Sequence, residues 1–91
     1  MGEHRFELGE IVATPAALEV LKARRVDPAE LLNRHASGDW EDVPPEDARD
    51  NEFSVLYGFR VLSSYKAGRE RLWVLTEADR SSTTILLPWE Y

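Results

Sequence analysis

The stretch Phe59-Arg60-Val61-Leu62-Ser63-Ser64-Tyr65-Lys66-Ala67-Gly68-Arg69-Glu70-Arg71-Leu72-Trp73-Val74-Leu75-Thr76-Glu77 sets the architecture of the chain. It follows Gly58, where the hydrophobic period changes from helical to alternating. Phe59 to Tyr65 and Leu72 to Glu77 are rich in β-branched and aromatic residues, and so is Thr83 to Leu87 further on. Such residues suit a pleated, half-buried surface. Lys66-Ala67-Gly68-Arg69 is a short hairpin connection, and Ala78 to Ser82 is a looser one. Together these segments predict a three-stranded antiparallel meander. If Tyr65 lies opposite Glu70, then Leu62 faces Trp73 and Val61 faces Val74. One face then carries Phe59, Val61, Leu72, Val74 and Thr76, a surface suited to helices. The other carries Arg60, Leu62, Ser64, Arg71, Trp73, Leu75 and Glu77, which mixes guanidinium groups with an indole.

Working back from the meander, Val43-Pro44-Pro45-Glu46-Asp47 reads as a turn into a helix that Gly58 ends. Its acids stand at the positive N-terminal end, and Phe53 and Leu56 are expected to face the core. The helix before it has the clearest boundaries. Asp27 caps it, Pro28 takes the first position, Glu30 completes a capping box, and Gly38 offers a left-handed stop. Earlier still, Phe6 to Ala13 reads as a strand, and Thr14-Pro15 opens a helix whose buried stripe is Ala17, Leu18 and Leu21. The expected order is an N-terminal strand, three helices and the three-stranded meander, with the helices on one sheet face. That is an α+β single domain spanning residues 1–91.

The 91-residue length leaves little room for a second core. No cysteine is present, which excludes a disulfide scaffold, a cysteine nucleophile and thiolate zinc sites. The two histidines, His4 and His35, lack metal-ligand spacing, so neither a metal nor another cofactor is expected. No nucleotide-binding or hydrolase fingerprint occurs. The absence of an apolar leader or a membrane-length span predicts a cytoplasmic protein without membrane partners.

The net charge of −6 is concentrated in one place. Between Asp39 and Glu52 seven acids stand against Arg49 alone, which accounts for all of it. Asp39, Asp42, Glu46 and Asp50 could form a ridge that engages a protein partner, with Trp40 as an exposed indole inside it. The same ridge also reads as a solvated face that keeps a small protein in solution. A different constellation lies in the C-terminal third, where five bases face four acids from Tyr57 to Tyr91. Arg60, Arg71 and Arg80 could hold a phosphodiester, with Trp73 stacking a base. As ordinary strand and turn residues they need no ligand. His35 shares the inward helix face of Leu31 and Leu32. It reads as a general acid or base, or as a half-buried structural imidazole. Thr83 and Thr84 gain chemical interest only beside a histidine or an arginine.

Three segments carry a resemblance. They are Leu8-Gly9-Glu10-Ile11-Val12-Ala13-Thr14-Pro15, Arg34-His35-Ala36-Ser37-Gly38-Asp39-Trp40, and Leu72-Trp73-Val74-Leu75-Thr76-Glu77-Ala78-Asp79-Arg80 with Thr83-Thr84, Leu87-Pro88 and Tyr91. Together they resemble a group of small bacterial proteins associated with plasmids and other mobile elements. Members are sometimes labelled as the M subunit of a type I restriction endonuclease. That label implies a methyl-donor domain, for which 91 residues are too few. At the level of the fold, helices followed by a meander resemble the small ribonuclease toxins of the barnase and RelE-like type. That resemblance implies metal-independent cleavage using His35, Arg60, Arg71, Arg80 and Thr83 or Thr84. The sequence therefore predicts an accessory module that binds an unidentified protein through residues 39–52. The alternative is a ribonuclease, and only then is nucleic acid a partner. A homodimer through the outer sheet face is left open.

Overall fold

The structure, a computed structural model, describes residues 3–40 and 44–91. The meander is present as β2 (Val61–Ala67), β3 (Glu70–Thr76) and β4 (Ser82–Leu86). Between β2 and β3 only Gly68 and Arg69 are unpaired, and Gly68 supplies the positive φ, +66°, that a two-residue hairpin turn demands. The tighter turn puts Tyr65 opposite Leu72, not Glu70, and Ser64 opposite Trp73. This is a register two residues from the expected one. Because the slip is even, every strand residue keeps its face. Phe59 differs: it precedes β2 and is exposed.

The expected three-stranded antiparallel meander is corrected to a four-stranded mixed sheet, and the N-terminal strand, expected over Phe6 to Ala13, is shorter. β1 (Glu10–Ala13) is the fourth strand of a mixed sheet ordered β1-β4-β3-β2, running parallel to β4. The pairing satisfies the open edge of β4, with the amides of Glu10 and Thr14 donating to the carbonyls of Ser81 and Ile85 at 3.0 Å. Gly9 makes the approach possible. At φ +65°, a β-carbon there would sit 2.4 Å from the carbonyl oxygens of both Arg80 and Ser81.

Three helices separate β1 from β2: α1 (Pro15–Ala23), α2 (Pro28–Ser37) and α3 (Pro45–Tyr57). Thr14 caps α1 by accepting from the Ala17 amide at 3.1 Å, and Asp27 caps α2 by accepting from the Ala29 amide at 2.9 Å. Gly38 ends α2 in the left-handed conformation. Glu30 contributes its charge to the first turn of α2, but the cap's side-chain bond is made by Asp27. Ala17, Val20 and Leu21 of α1 and Leu31 of α2 pack on Tyr65, Ala67, Leu72, Val74 and Ile85 to form the core. Leu18, expected there, is exposed, and Val20 fills its place. Phe53 and Leu56 of α3 are also exposed, contrary to expectation. On the opposite sheet face the short 3₁₀ turn Pro88–Glu90 folds back toward β3, and Tyr91 meets Trp73 edge-on at 5.6 Å.

The single capping bond at Asp27 sets a measurable cost. Asp27→Ala is expected to lower unfolding free energy by about 1 kcal/mol. Gly9→Ala should cost more, because backbone on the facing strand must move. Equal urea midpoints for Gly9→Ala and wild type would show that β1 does not pair with β4.

Candidate functional site

His35 sits in the last turn of α2 and has no exposed surface. Its ring meets Phe6 and Trp40 edge-on, at centroid distances of 5.3 and 6.1 Å. Nδ1 lies 2.6 Å from the Ser63 hydroxyl and Nε2 lies 2.8 Å from the Thr76 hydroxyl. The Thr76 hydroxyl is 2.7 Å from that of Thr83, which donates to the Leu8 carbonyl at 2.7 Å. A carbonyl can only accept, and each hydroxyl has one proton, so this end fixes the direction of the whole chain. Thr83 donates to Leu8, Thr76 to Thr83, and Nε2–H of His35 to Thr76. Nδ1 is left as the acceptor for Ser63. Burial pushes the imidazole down from 6.5 to about 3, and the nearby positive charge of Arg80 adds to the effect. The ring is neutral at physiological pH, with both nitrogens occupied.

The arginines are engaged as well. Arg80, held at φ +60°, donates to the carbonyls of Phe59 at 2.6 Å, Ser54 at 2.9 Å and Glu77 at 3.1 Å. Its guanidinium also covers the Phe6 ring at 5.2 Å. Arg60 pairs with Glu77 at 3.1 Å and reaches the Tyr91 hydroxyl at 3.4 Å. Arg71 donates to Ser64 at 3.3 Å from the outer sheet face, opposite the face that His35 contacts. Thr83 belongs to the imidazole chain, whereas Thr84 points the other way and is half-buried. The structure thus brings His35, Thr83 and Arg80 near one another and keeps Arg71 on the far side of the sheet. A phosphodiester would find no free imidazole nitrogen.

The acidic segment divides into two parts. Asp39 pairs with Arg34 at 2.8 Å, and its carbonyl accepts from the Tyr65 hydroxyl at 2.8 Å. Trp40, expected as an exposed indole, is buried and donates to Glu52 at 3.0 Å. Glu52 also takes both guanidinium nitrogens of Arg5 at 2.7 Å, and this pair holds its carboxyl below the usual range. These residues fasten α2, α3 and the N-terminal segment together. Asp42 lies outside the described residues.

Glu46, Asp47 and Asp50 remain exposed on α3. Asp47 and Asp50, with Pro44 and Asn51, form one wall of a groove of about 550 Å³ whose other lining is Leu62, Ser63, Ser64, Arg71 and Trp73. Asn51 positions that wall: its side-chain amide donates to the Leu62 carbonyl at 2.7 Å and accepts from the Leu62 amide at 3.2 Å. Sequence reasoning missed Asn51 and Asp47. The available signal was an amide side chain three residues from Ala48 and four from Val55, on the side of the helix away from its aromatics.

Among the described residues, no group of three or more His, Cys, Asp or Glu side chains could hold a metal, and no helix is long and apolar enough to cross a membrane. No protein-family model matches the chain, and no curated protein or solved structure matches it significantly.

The depressed imidazole predicts a pH dependence. Below about pH 6.5 the unfolded chain binds the proton that the folded chain refuses. Stability is therefore full above that pH and falls toward about pH 3, by at most ~1.4 kcal/mol per unit. Glu52, whose folded value is lowered from 4.5, adds its loss only in more acid solution. Urea midpoints between about pH 6.5 and 5 should fall for wild type and stay flatter for His35→Gln. Parallel slopes would show that His35 does not titrate this way.

Proposed function

We propose that the protein is a small interaction module that receives a basic segment of a partner protein in the groove between α3 and the outer face of β2 and β3. The observation that supports this most directly is the contrast among its acids. Asp39 and Glu52 are neutralised by arginines, whereas Asp47 and Asp50 at the groove have no ion pair among the described residues. Unpaired carboxylates beside an indole suit a lysine or arginine side chain, whose head meets the acids while its stem lies on Trp73. Tryptophan in such a setting supplies much of the energy of an interface, and the local negative charge speeds encounter with a basic partner.

The contact surface on this reading is narrower than the whole 39–52 segment, and centres on Asp47, Asp50 and Trp73. The resemblance to plasmid-associated proteins supports a cytoplasmic role alongside a mobile element, with the partner drawn from the cell that carries it. Catalysis by His35 finds no support in a ring whose two nitrogens face buried hydroxyls.

Capture of partners from such a cell should depend on these groups. An Asp47→Asn, Asp50→Asn variant is expected to recover less than a tenth of the partner that wild type recovers in low salt. Raising the salt to 1 M, where screening acts within about 3 Å, should reduce the wild-type yield in the same way. Equal recovery by both proteins in low salt would remove the groove carboxylates from the interface.

A further inference from the structure

α3 carries its apolar side outward. Of its thirteen residues only Asn51 is buried, and the half-buried ones are Ala48, Glu52, Ser54 and Val55. Phe53, Leu56 and Tyr57 are 54%, 73% and 66% exposed, and Phe59 just beyond the helix is 53% exposed. They form one patch, with the Phe53 ring 4.6 Å from that of Tyr57 and stacked on Phe59 at 5.7 Å. Taking 150–250 Å² for a large side chain, the exposed fractions amount to roughly 500 Å². That is near the upper end of what a monomer leaves uncovered. The helix turns 100° per residue, so Glu46, Arg49, Phe53, Leu56 and Tyr57 share this side, Asp50 stands at the border between it and the groove, and Asp47 and Asn51 turn toward the groove.

We propose that a second copy of this chain covers the patch, through an antiparallel contact between the two α3 helices around a two-fold axis near Phe53. Charge selects the orientation. The acids Glu46, Asp47 and Asp50 lie toward the N-terminal end of α3, and no acid follows Glu52 within the helix. A parallel pair would set carboxylates beside carboxylates, and two helix dipoles side by side in the same sense. The antiparallel pair sets each acidic end against the uncharged aromatic end of the other copy. With the axis at Phe53, Arg49 falls opposite Tyr57 of the partner subunit, a cation facing an aromatic ring. An isologous contact of this kind is self-complementary and closes on itself. Two patches together bury about 1,000 Å², the lower limit for a specific interface. The grooves lie on other sides of the two helices and stay open.

The absence of cysteine makes the contact easy to trap. Sedimentation from about 1 μM to about 1 mM should show the mass of wild type rising from one chain to two. Leu56→Glu should remain a single chain across that range with unchanged circular dichroism. If that variant fails to fold, oxidation of Phe53→Cys gives a second readout. A cysteine at the axis should yield a covalent dimer, whereas Asp47→Cys at the groove should not. A wild type that stays monomeric at about 1 mM would overturn the proposal. Equal trapping of both cysteine variants would also overturn it. The two readings fail separately: a monomeric protein that still captures a partner through Asp47 and Asp50 removes the dimer and leaves the groove, and a dimer whose capture is indifferent to those acids does the reverse.

Discussion

A buried relay of hydrogen bonds from Ser63 through His35, Thr76 and Thr83 to the Leu8 carbonyl holds this fold in register. It crosses five parts of the chain: β2, α2, β3, β4 and the segment leading into β1. Its four side chains are buried, so a missing partner would leave a buried polar group unsatisfied, at about 1–3 kcal/mol each. Among the described residues no buried side-chain nitrogen or oxygen lacks a partner. Moving β4 by one residue turns Thr83 away from Thr76 and Ile85 out of the core. The aliphatic core supplies cohesion. The relay supplies the uniqueness of the packing.

Local signals in the sequence were sufficient for the helices and for the faces of the sheet. Thr14, Asp27, Gly38 and Gly58 mark element ends through bonds or backbone angles that depend on immediate neighbours. The two-residue slip in the hairpin arose because Gly68 can serve several turn lengths. It did no harm to the faces because alternation has a period of two. The place of β1 was illegible for a different reason. Its pairing with β4 joins residues more than seventy positions apart, and no local pattern reports such a contact. Gly9 bears the imprint of that contact, yet in the sequence it reads only as a glycine before a strand.

The candidate residues were harder to read because composition does not distinguish engaged charges from free ones. Seven acids in one segment look like a single ridge until Arg34 and Arg5 take Asp39 and Glu52. Trp40 beside acids looks exposed, but its indole N–H follows Glu52 inward and its ring closes over His35. Arg80 looks available for a phosphate, but three backbone carbonyls bind its guanidinium. In each case the deciding partner lies far away in the sequence. His35 is the residue where the bland and the sharp readings could be told apart only by counting protons along the relay.

α3 is where these constraints end. The helix is tied to the body by polar groups, through Asn51 at the edge of β2, Glu52 at Arg5 and Trp40, and the Ser54 carbonyl at Arg80. Attachment by directional bonds leaves its large apolar side chains free of any duty in the core. A helix held only for stability would bury Phe53 and Leu56 and expose Asn51, since burying a large apolar side chain gains about 1.5–3 kcal/mol. The reverse arrangement forgoes that gain within one chain. It is recovered when another surface covers the same side chains, which is why the orientation of α3 points outward to association.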